Sequence, residues 1–236
     1  MPAPTPDILD PEHAMSPTID EIVIGDPPDA WRGAGFTVDP DGVCRIGTVR
    51  VRLVGRDDGK RILRWSWRDL GEPTADRSLD GLVTDTSSEA PAEPGQHPNG
   101  TQSIDHVVLA TPDCDRTIAA FEAAGLAPRR TRHTDSYGSP MRQTFFRAGE
   151  VIVELVGPET PSGDGPAGFF GLALTVADLD TTGDYLGDGM GAPKDAVQPG
   201  RRIATLRHRD LGMSVAIALM SPERAEHPRL PSRRAG

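Results

Sequence analysis

The sequence is poor in the features that mark disulfide-rich, membrane and secreted proteins. Its two cysteines, Cys44 and Cys114, are isolated and form neither a CxxC motif nor a disulfide framework. No segment approaches the roughly 18 consecutive apolar residues of a membrane-spanning helix. The first 16 residues lack the basic and then apolar pattern of a signal peptide. We therefore predict a cytoplasmic protein without a membrane partner.

Basic clusters are also missing. The formal net charge is -10, and no run of Lys or Arg forms the basic stripe that is typical of proteins that bind polyanions. We therefore predict no nucleic-acid partner. A chain of 236 residues is nevertheless long enough to bury a sizeable core, as one large domain or two small ones.

Three stretches are too polar, or too rich in Pro, Gly and Ser, to bury a core of their own. We predict a disordered tail over residues 1–18, a linker over residues 71–103 and a second tail over residues 223–236. Two structured regions remain, residues 19–70 and residues 104–222.

The region 104–222 contains one pattern twice, over residues 104–158 and 168–222. Each copy begins with a β-rich run and a short amphipathic helix and ends with three further β-rich runs. The strands are predicted over residues 104–110, 131–134, 142–147, 151–156, 172–176, 196–198, 203–207 and 214–220. Asp113-Cys114-Asp115 matches Asp178-Leu179-Asp180 at an offset of 65 residues. This repetition predicts tandem βαβββ modules.

The region 19–70 is predicted to be an extra, degenerate module. Residues 19–24 echo residues 104–109 at an offset of 85. Two alternating runs, 44–54 and 61–67, predict a hairpin around Asp57-Asp58-Gly59. Trp65 and Trp67 share one face of the second run, which we expect to pack against the main sheet.

The quoted order and spacing resemble the vicinal-oxygen-chelate superfamily, which includes glyoxalases, bleomycin-resistance proteins and dioxygenases. The resemblance extends from Ile104 to Pro222 and includes the segment Glu154-Leu155-Val156-Gly157-Pro158. It implies an α+β fold in which the tandem βαβββ modules form a cupped mixed sheet. It implies no single reaction, because this fold carries lyases, epimerases, dioxygenases, transferases and drug-sequestering proteins.

The resemblance also implies four positions for the ligands of a divalent metal, on the first and last strands of each module. The first module supplies His106 and Glu154, which suit Zn, Ni, Fe or Mn. The matching positions of the second module are Gly171 and Ala218, which have no donor atoms in their side chains. The predicted site is therefore incomplete. The candidates that could complete it are His208, His133, Gln143 and Glu21.

Alternatives without a metal stay open at this point. Glu154 alternates with the apolar Ile152 and Val156, so its charge needs a partner, which could be His106 in a metal-free hydrogen-bonded pair. Arginines offer another contact to a ligand. Arg142 and Arg147, like Arg202 and Arg207, are separated by an odd number of residues on one strand, so only one of each pair can face the cup.

Two functions from different classes follow. The first is a metal-assisted lyase or isomerase of the glyoxalase type that acts on a small molecule, with Glu154 as the catalytic residue. The second is a metal-free protein that binds or sequesters a small molecule, for which Gly171 and Ala218 would enlarge the cup. The sequence is compatible with either a monomer or a homodimer.

Overall fold

The computed structural model describes residues 16–71, 77–135 and 138–223. The predicted tails therefore lie almost wholly outside the described residues. The elements, in chain order, are β1 (Thr18–Ile24), α1 (Pro28–Gly33), β2 (Val43–Ile46), β3 (Val49–Leu53), β4 (Ile62–Arg68), β5 (Ser78–Leu79), β6 (Leu82–Thr86), β7 (Thr101–Ala110), α2 (Cys114–Ala123), β8 (Pro128–Thr134), β9 (Met141–Ala148), β10 (Val151–Pro158), β11 (Gly168–Val176), α3 (Leu179–Leu186), β12 (Lys194–Asp195), β13 (Arg202–Thr205) and β14 (Ala216–Met220). None of the described helices has the length and apolarity that crossing a bilayer requires.

The C-terminal sheet has eight strands in the order β12-β13-β14-β11-β7-β10-β9-β8. In each of its two modules the first and last strands are parallel neighbours, and antiparallel pairing of β7 with β11 joins the modules. The predicted tandem βαβββ modules are thus confirmed. One predicted strand is wrong, because residues 196–198 form a loop and the edge strand is Lys194–Asp195.

Both helices of this sheet begin at an aspartate. The side chain of Asp113 accepts a hydrogen bond from the Arg116 N–H, and that of Asp178 accepts one from the Thr181 N–H. Each carboxylate thus satisfies an amide that has no partner within the helix. The matching Asp-x-Asp sequences therefore mark matching helix starts.

The N-terminal sheet has six strands in the order β2-β3-β1-β4-β6-β5. Here β1 is parallel to β3, β4 is parallel to β6, and β1 and β4 are antiparallel neighbours. This is the same arrangement in shortened form, a βαββ unit followed by a βββ unit. The single degenerate module predicted for residues 19–70 is therefore corrected to two shortened modules over residues 18–86.

The predicted hairpin around Asp57-Asp58-Gly59 is wrong. Strand β1 lies between β3 and β4, so these two strands do not pair with each other. The true hairpin is β2 with β3, inside the run that the sequence suggested was continuous. Gly47 makes its turn with a φ of 59°, which a residue without a Cβ adopts readily.

The linker predicted over residues 71–103 needs a correction as well. It contains β5, β6 and the start of β7, and Leu79 and Leu82 are buried. Asn99 is also buried, where its side chain donates to the Ala34 carbonyl and accepts from the Thr101 N–H. Side-chain hydrogen bonds to the backbone thus order a segment whose composition suggested a loose linker.

The two sheets share one hydrophobic core. Alternate residues of β7 and β10, such as Val107 and Val153, point into it. As predicted, Trp65 packs there, with its ring centroid 6.2 Å from that of Phe121 on α2 and 5.0 Å from that of Phe169 on β11. The other face of the C-terminal sheet is left to form the cup.

Candidate functional site

A cavity of about 630 Å³ lies in the cup of the C-terminal sheet. Strands from both modules line it, and the edge strands β8 and β12 close its two sides. Its lining residues are His106, Val108, Arg132, Gln143, Phe145, Glu154, Phe170, Gly171, Leu172, Ala173, Lys194, Asp195, Ala196, Val197, Gln198, Ile203, Thr205, Ala216, Ile217, Ala218 and Met220. A volume of this size suits a small organic molecule.

The two site residues predicted from the sequence lie on neighbouring strands of this cavity. His106 pairs with Ile152 in the parallel ladder of β7 and β10, and Glu154 is the next residue of β10 on the same face. His106 is 4% exposed. The structure therefore brings an imidazole and a carboxylate to one wall of the cavity, while their roles stay predictions.

Burial raises the pKa of the Glu154 carboxyl. The charge of His106, a hydrogen bond from Gln143 and the charge of Arg132 lower it in part. The hydrogen bond runs from Gln143 Nε2 to Glu154 Oε1 over 2.7 Å. The result is a carboxyl group whose pKa lies above its ordinary value, as expected where a low-dielectric wall disfavours the charged form.

Asp105 adds a contact that the sequence did not predict. In the pairing of β7 with β11, Ile104 and His106 face Leu174 and Ala173, so Asp105 is an extra residue in a β-bulge. Its Oδ1 lies 3.4 Å from His106 Nδ1. With Nδ1 engaged in this way, Nε2 is the ring nitrogen left for the cavity.

Arg201 holds the other side of Asp105. Its Nη1 donates to both oxygens of the Asp105 carboxylate, over 3.0 and 2.8 Å, and the side chain is 6% exposed. Burial opposes the ionisation of Asp105, but the contacts with His106 and Arg201 outweigh it and lower the pKa of the carboxyl. Strand alternation places neighbouring residues on opposite faces, so only knowledge of the bulge would have revealed this contact.

The second module contributes an apolar wall. Gly171 pairs with Ala216 in the parallel ladder of β11 and β14, and Ala218 follows on the same face. This register matches that of His106, Ile152 and Glu154. A Cβ on Gly171 would lie 2.3 Å from the Ala216 carbonyl oxygen. The backbone itself thus excludes a side chain at one of the two missing ligand positions.

Of the four candidates to complete the metal site, Gln143 alone lines the cavity. Glu21 binds Arg52 in the N-terminal sheet, and His133 binds Glu159 on the outside. His208 contacts the Leu206 carbonyl. None of the four arginines singled out from the sequence, Arg142, Arg147, Arg202 and Arg207, lines the cavity. Arg142 pairs instead with Asp115, and Arg202 pairs with Asp180.

The donor set fits a loosely held divalent cation. Gln143 Oε1 is buried and has no hydrogen-bond partner among the described residues. A turn of its amide would add a third donor beside His106 and Glu154, and the Asp105 carboxylate behind the imidazole is the usual support for a histidine ligand. Within the described ranges, no group of three or more His, Cys, Asp or Glu side chains could hold a metal. A tight four-ligand site is therefore not formed by these residues.

Comparisons with known proteins agree with the fold. The family model of the glyoxalase/bleomycin resistance protein/dioxygenase superfamily matches residues 105–205. No curated protein matches the chain. A variant of 4-hydroxymandelate synthase from Streptomyces coelicolor is 12% identical, with a TM-score of 0.59 over 91% of this chain and 95% of that one.

Two further structures are similar to this chain. A fusion of a xylose isomerase-like TIM barrel with a 4-hydroxyphenylpyruvate dioxygenase is 11% identical, with a TM-score of 0.56 over 91% of this chain and 50% of that one. Methylmalonyl-CoA epimerase from Mycobacterium tuberculosis is 22% identical, with a TM-score of 0.42 over 52% of this chain and 89% of that one. Over residues 105–205 the chain therefore matches the glyoxalase/bleomycin resistance protein/dioxygenase superfamily.

Proposed function

We propose that this protein acts on a small molecule in the cup as a lyase or isomerase of the glyoxalase type, with Glu154 moving a proton to or from a carbon of the ligand. The observation that carries the proposal is a buried carboxyl group with a raised pKa on the wall of the cavity. A carboxylate is a stronger base when its pKa lies closer to the working pH.

The neighbours of Glu154 suit this role. Gln143 donates to Oε1 and so fixes the carboxylate, which leaves Oε2 to take the proton. His106 presents its Nε2 beside the same space, because Asp105 lies against Nδ1. Removing a proton from a carbon puts negative charge on the ligand, and an N–H or a charge at His106 would stabilise it.

In an alternative arrangement, with the Gln143 amide turned so that it no longer donates to Glu154, the oxygen of Gln143 would join His106 and Glu154 in holding a divalent cation, Zn, Ni, Fe or Mn. When bound, such an ion supplies Lewis-acid stabilisation of negative charge on a ligand oxygen. With three protein atoms at most among the described residues, we expect weaker binding than at a closed four-ligand site.

The second candidate is a metal-free binding cup. The observation in its favour is the wall built from Gly171, Ala173, Ala216 and Ala218, whose small side chains widen the cavity without offering chemistry. A binding protein needs this wall and does not need the raised pKa of Glu154. The two candidates therefore differ in whether a bound ligand exchanges protons.

Solvent deuterium exchange tests the proposal. Small acids, ketones and aldehydes with a C–H next to a carbonyl would be incubated in D₂O with the wild type, Glu154→Gln and Glu122→Gln. The last variant removes an exposed carboxylate on α2. We expect NMR to show exchange of one ligand proton with the wild type and Glu122→Gln, and binding without exchange with Glu154→Gln.

Two results would contradict the proposal. Binding of a ligand by the wild type with no exchange, with and without added Zn²⁺, Ni²⁺, Fe²⁺ or Mn²⁺, would favour the binding cup. Exchange that persists in Glu154→Gln would transfer the role of base to another residue.

A further inference from the structure

We propose that the ligand of the cup is an organic acid, with its carboxylate on Arg132 and an apolar or aromatic body against the second module. The inference rests on the proposed function and names the class of molecule on which that function would act. The starting observation is the positive charge of the Arg132 guanidinium, which has no part in the mechanism proposed above.

Arg132 is the arginine that lines the cavity, and among the described residues it forms no ion pair. It is half-buried on the edge strand β8, pairs in register with Gln143 and lines the cavity. Among the described residues, no Asp or Glu lies within ion-pair distance of its guanidinium. Three other arginines of this sheet do have such partners, namely Arg142, Arg201 and Arg202.

An unpaired guanidinium in a half-buried position gains from a bound anion. Its planar fork matches the two oxygens of a carboxylate. Lys194, at the opposite edge of the cup, has Asp195 beside it in the lining, so the charge at that edge is balanced. The positive end of the cavity is therefore the end at Arg132.

The position of Arg132 also fixes which part of the ligand meets Glu154. Strands β8 and β10 are two steps apart in the sheet, which is about 10 Å, with β9 between them. The long side chain of Arg132 spans part of this distance. A carboxylate held by it thus brings the adjoining carbon of the ligand toward Glu154.

A single negative charge suits this place better than two. The Glu154 carboxyl lies on the same wall, and like charges repel more strongly when one of them is a phosphate dianion. We therefore choose a carboxylate over a phosphate ester.

The remainder of the cavity takes the body of the ligand. Beyond His106 the lining includes the apolar residues Ala173, Ala216, Ala218 and Met220. At its rim Phe170 is 58% exposed and Val197 is 71% exposed, and both line the cavity. Large apolar side chains left open at a cavity mouth indicate contact with an apolar molecule.

Binding of three matched probes tests the inference. They are 2-naphthylacetate, its neutral amide and 2-naphthyl phosphate, titrated by calorimetry into the wild type, Arg132→Gln and Arg129→Gln. Arg129 is an exposed residue of the same strand that does not line the cavity, so its variant controls for net charge.

We expect the wild type and Arg129→Gln to bind the acetate at least about tenfold more tightly than the amide or the phosphate, as for one charge-assisted contact. In Arg132→Gln the acetate and the amide should bind equally. Ala218→Phe should weaken both by a similar factor, because it fills the apolar part of the cavity.

Several outcomes overturn the inference. They are equal binding of acetate and amide by the wild type, an acetate preference that survives Arg132→Gln, a preference for the phosphate, or no binding of any probe. A different result would show that the proposed function fails while this inference holds. In that case the acetate preference depends on Arg132, but no bound acid exchanges a proton in D₂O.

Discussion

Arg201 Nη1 donates to both carboxylate oxygens of Asp105, over 3.0 and 2.8 Å, and this pair links the loop after β12 to the bulge of β7. The same arginine donates through Nε to the Ser221 carbonyl and through Nη2 to Thr175 Oγ1. Because Asp105 also touches His106, the pair positions the ring that faces the cavity.

The first prediction concerns the stability that this pair provides. Asp105→Ala leaves a nearly buried guanidinium without its partner, so we expect a loss of about 3 kcal/mol in the free energy of unfolding. Urea denaturation followed by circular dichroism measures it. The matched control is Asp180→Ala, which breaks the exposed ion pair with Arg202 and should change little. Equal losses in the two variants would refute the special role of the buried pair.

The second prediction concerns Ala218, one of the two ligand positions of the second module that have no donor atom. Ala218→Glu adds a carboxylate opposite His106, and we expect the affinity for Zn²⁺ or Ni²⁺ to rise by on the order of tenfold or more. Isothermal titration measures it. An unchanged affinity would show that Ala218 does not lie where a ligand can reach the ion, and His106→Ala in the same background should remove the gain.

The third prediction concerns Gly171, where a side chain does not fit. The Cβ of Gly171→Ala would meet the Ala216 carbonyl oxygen, so we expect destabilisation of about 1–3 kcal/mol. Gly168→Ala, on the same strand, places its Cβ in open space and should leave the melting temperature unchanged. A neutral Gly171→Ala would mean that β11 and β14 can separate locally without cost.

The fourth prediction concerns the pKa of Glu154. Gln143→Leu removes the N–H that stabilises the charged carboxylate, so the pKa should rise further above its ordinary value. A ¹³C NMR titration of labelled glutamate side chains measures it. Gln102→Leu, an exposed position on β7, should have no effect. A pKa that falls in Gln143→Leu would contradict the geometry of this hydrogen bond.

The fifth prediction concerns pH and His97, which is buried. Its Nδ1 accepts from the Thr37 N–H and its Nε2 faces the Arg45 carbonyl, each over 3.0 Å. Burial lowers the pKa of His97, and the nearby Arg45 charge adds to this against the opposing effect of the carbonyl contact. Protonation at Nδ1 would also break the bond from Thr37.

The direction of the pH dependence follows from proton uptake by His97 in the unfolded chain. Below a pH of about 6.5 the unfolded chain binds a proton at this histidine that the folded chain does not bind. The free energy of unfolding should therefore fall as the pH drops from about 7 through this window. His97→Gln should flatten the fall, whereas His133→Gln, at an exposed site, should keep it. An identical pH dependence in wild type and His97→Gln would rule out this contribution.

Much of the site could be predicted because it depends on strand periodicity. The repeat at an offset of 65 residues identified the two modules, and the resemblance to the superfamily pointed to His106 and Glu154, which strand alternation then places on one face. Reasoning from strand alternation failed where the pairing of β7 with β11 is irregular. Asp105 is one residue out of phase because of the bulge, so its contact with His106 could not be foreseen. Arg132 was missed because its short strand gives no signal of which edge it occupies.

The N-terminal half shows the same limit for topology. The runs that hold β1 to β4 were recognised, whereas β5 and β6 fell within the predicted linker. The neighbours of these runs were assigned by sequence proximity, which favours hairpins. In the structure β1 separates β3 from β4, because parallel pairing within each shortened module places the first strand beside the last.

By itself the sequence determined most of the elements, the two C-terminal modules and, through the family resemblance, the chemical difference between their walls, because periodicity, capping and residue type are local properties. Tertiary structure alone decided the strand neighbours, the bulge that joins Asp105 to His106, the choice of Gln143 among four possible donors and the position of Arg132 at the cup. These depend on which segments, distant along the chain, share a ladder or a cavity, and that is settled by packing of the whole sheet.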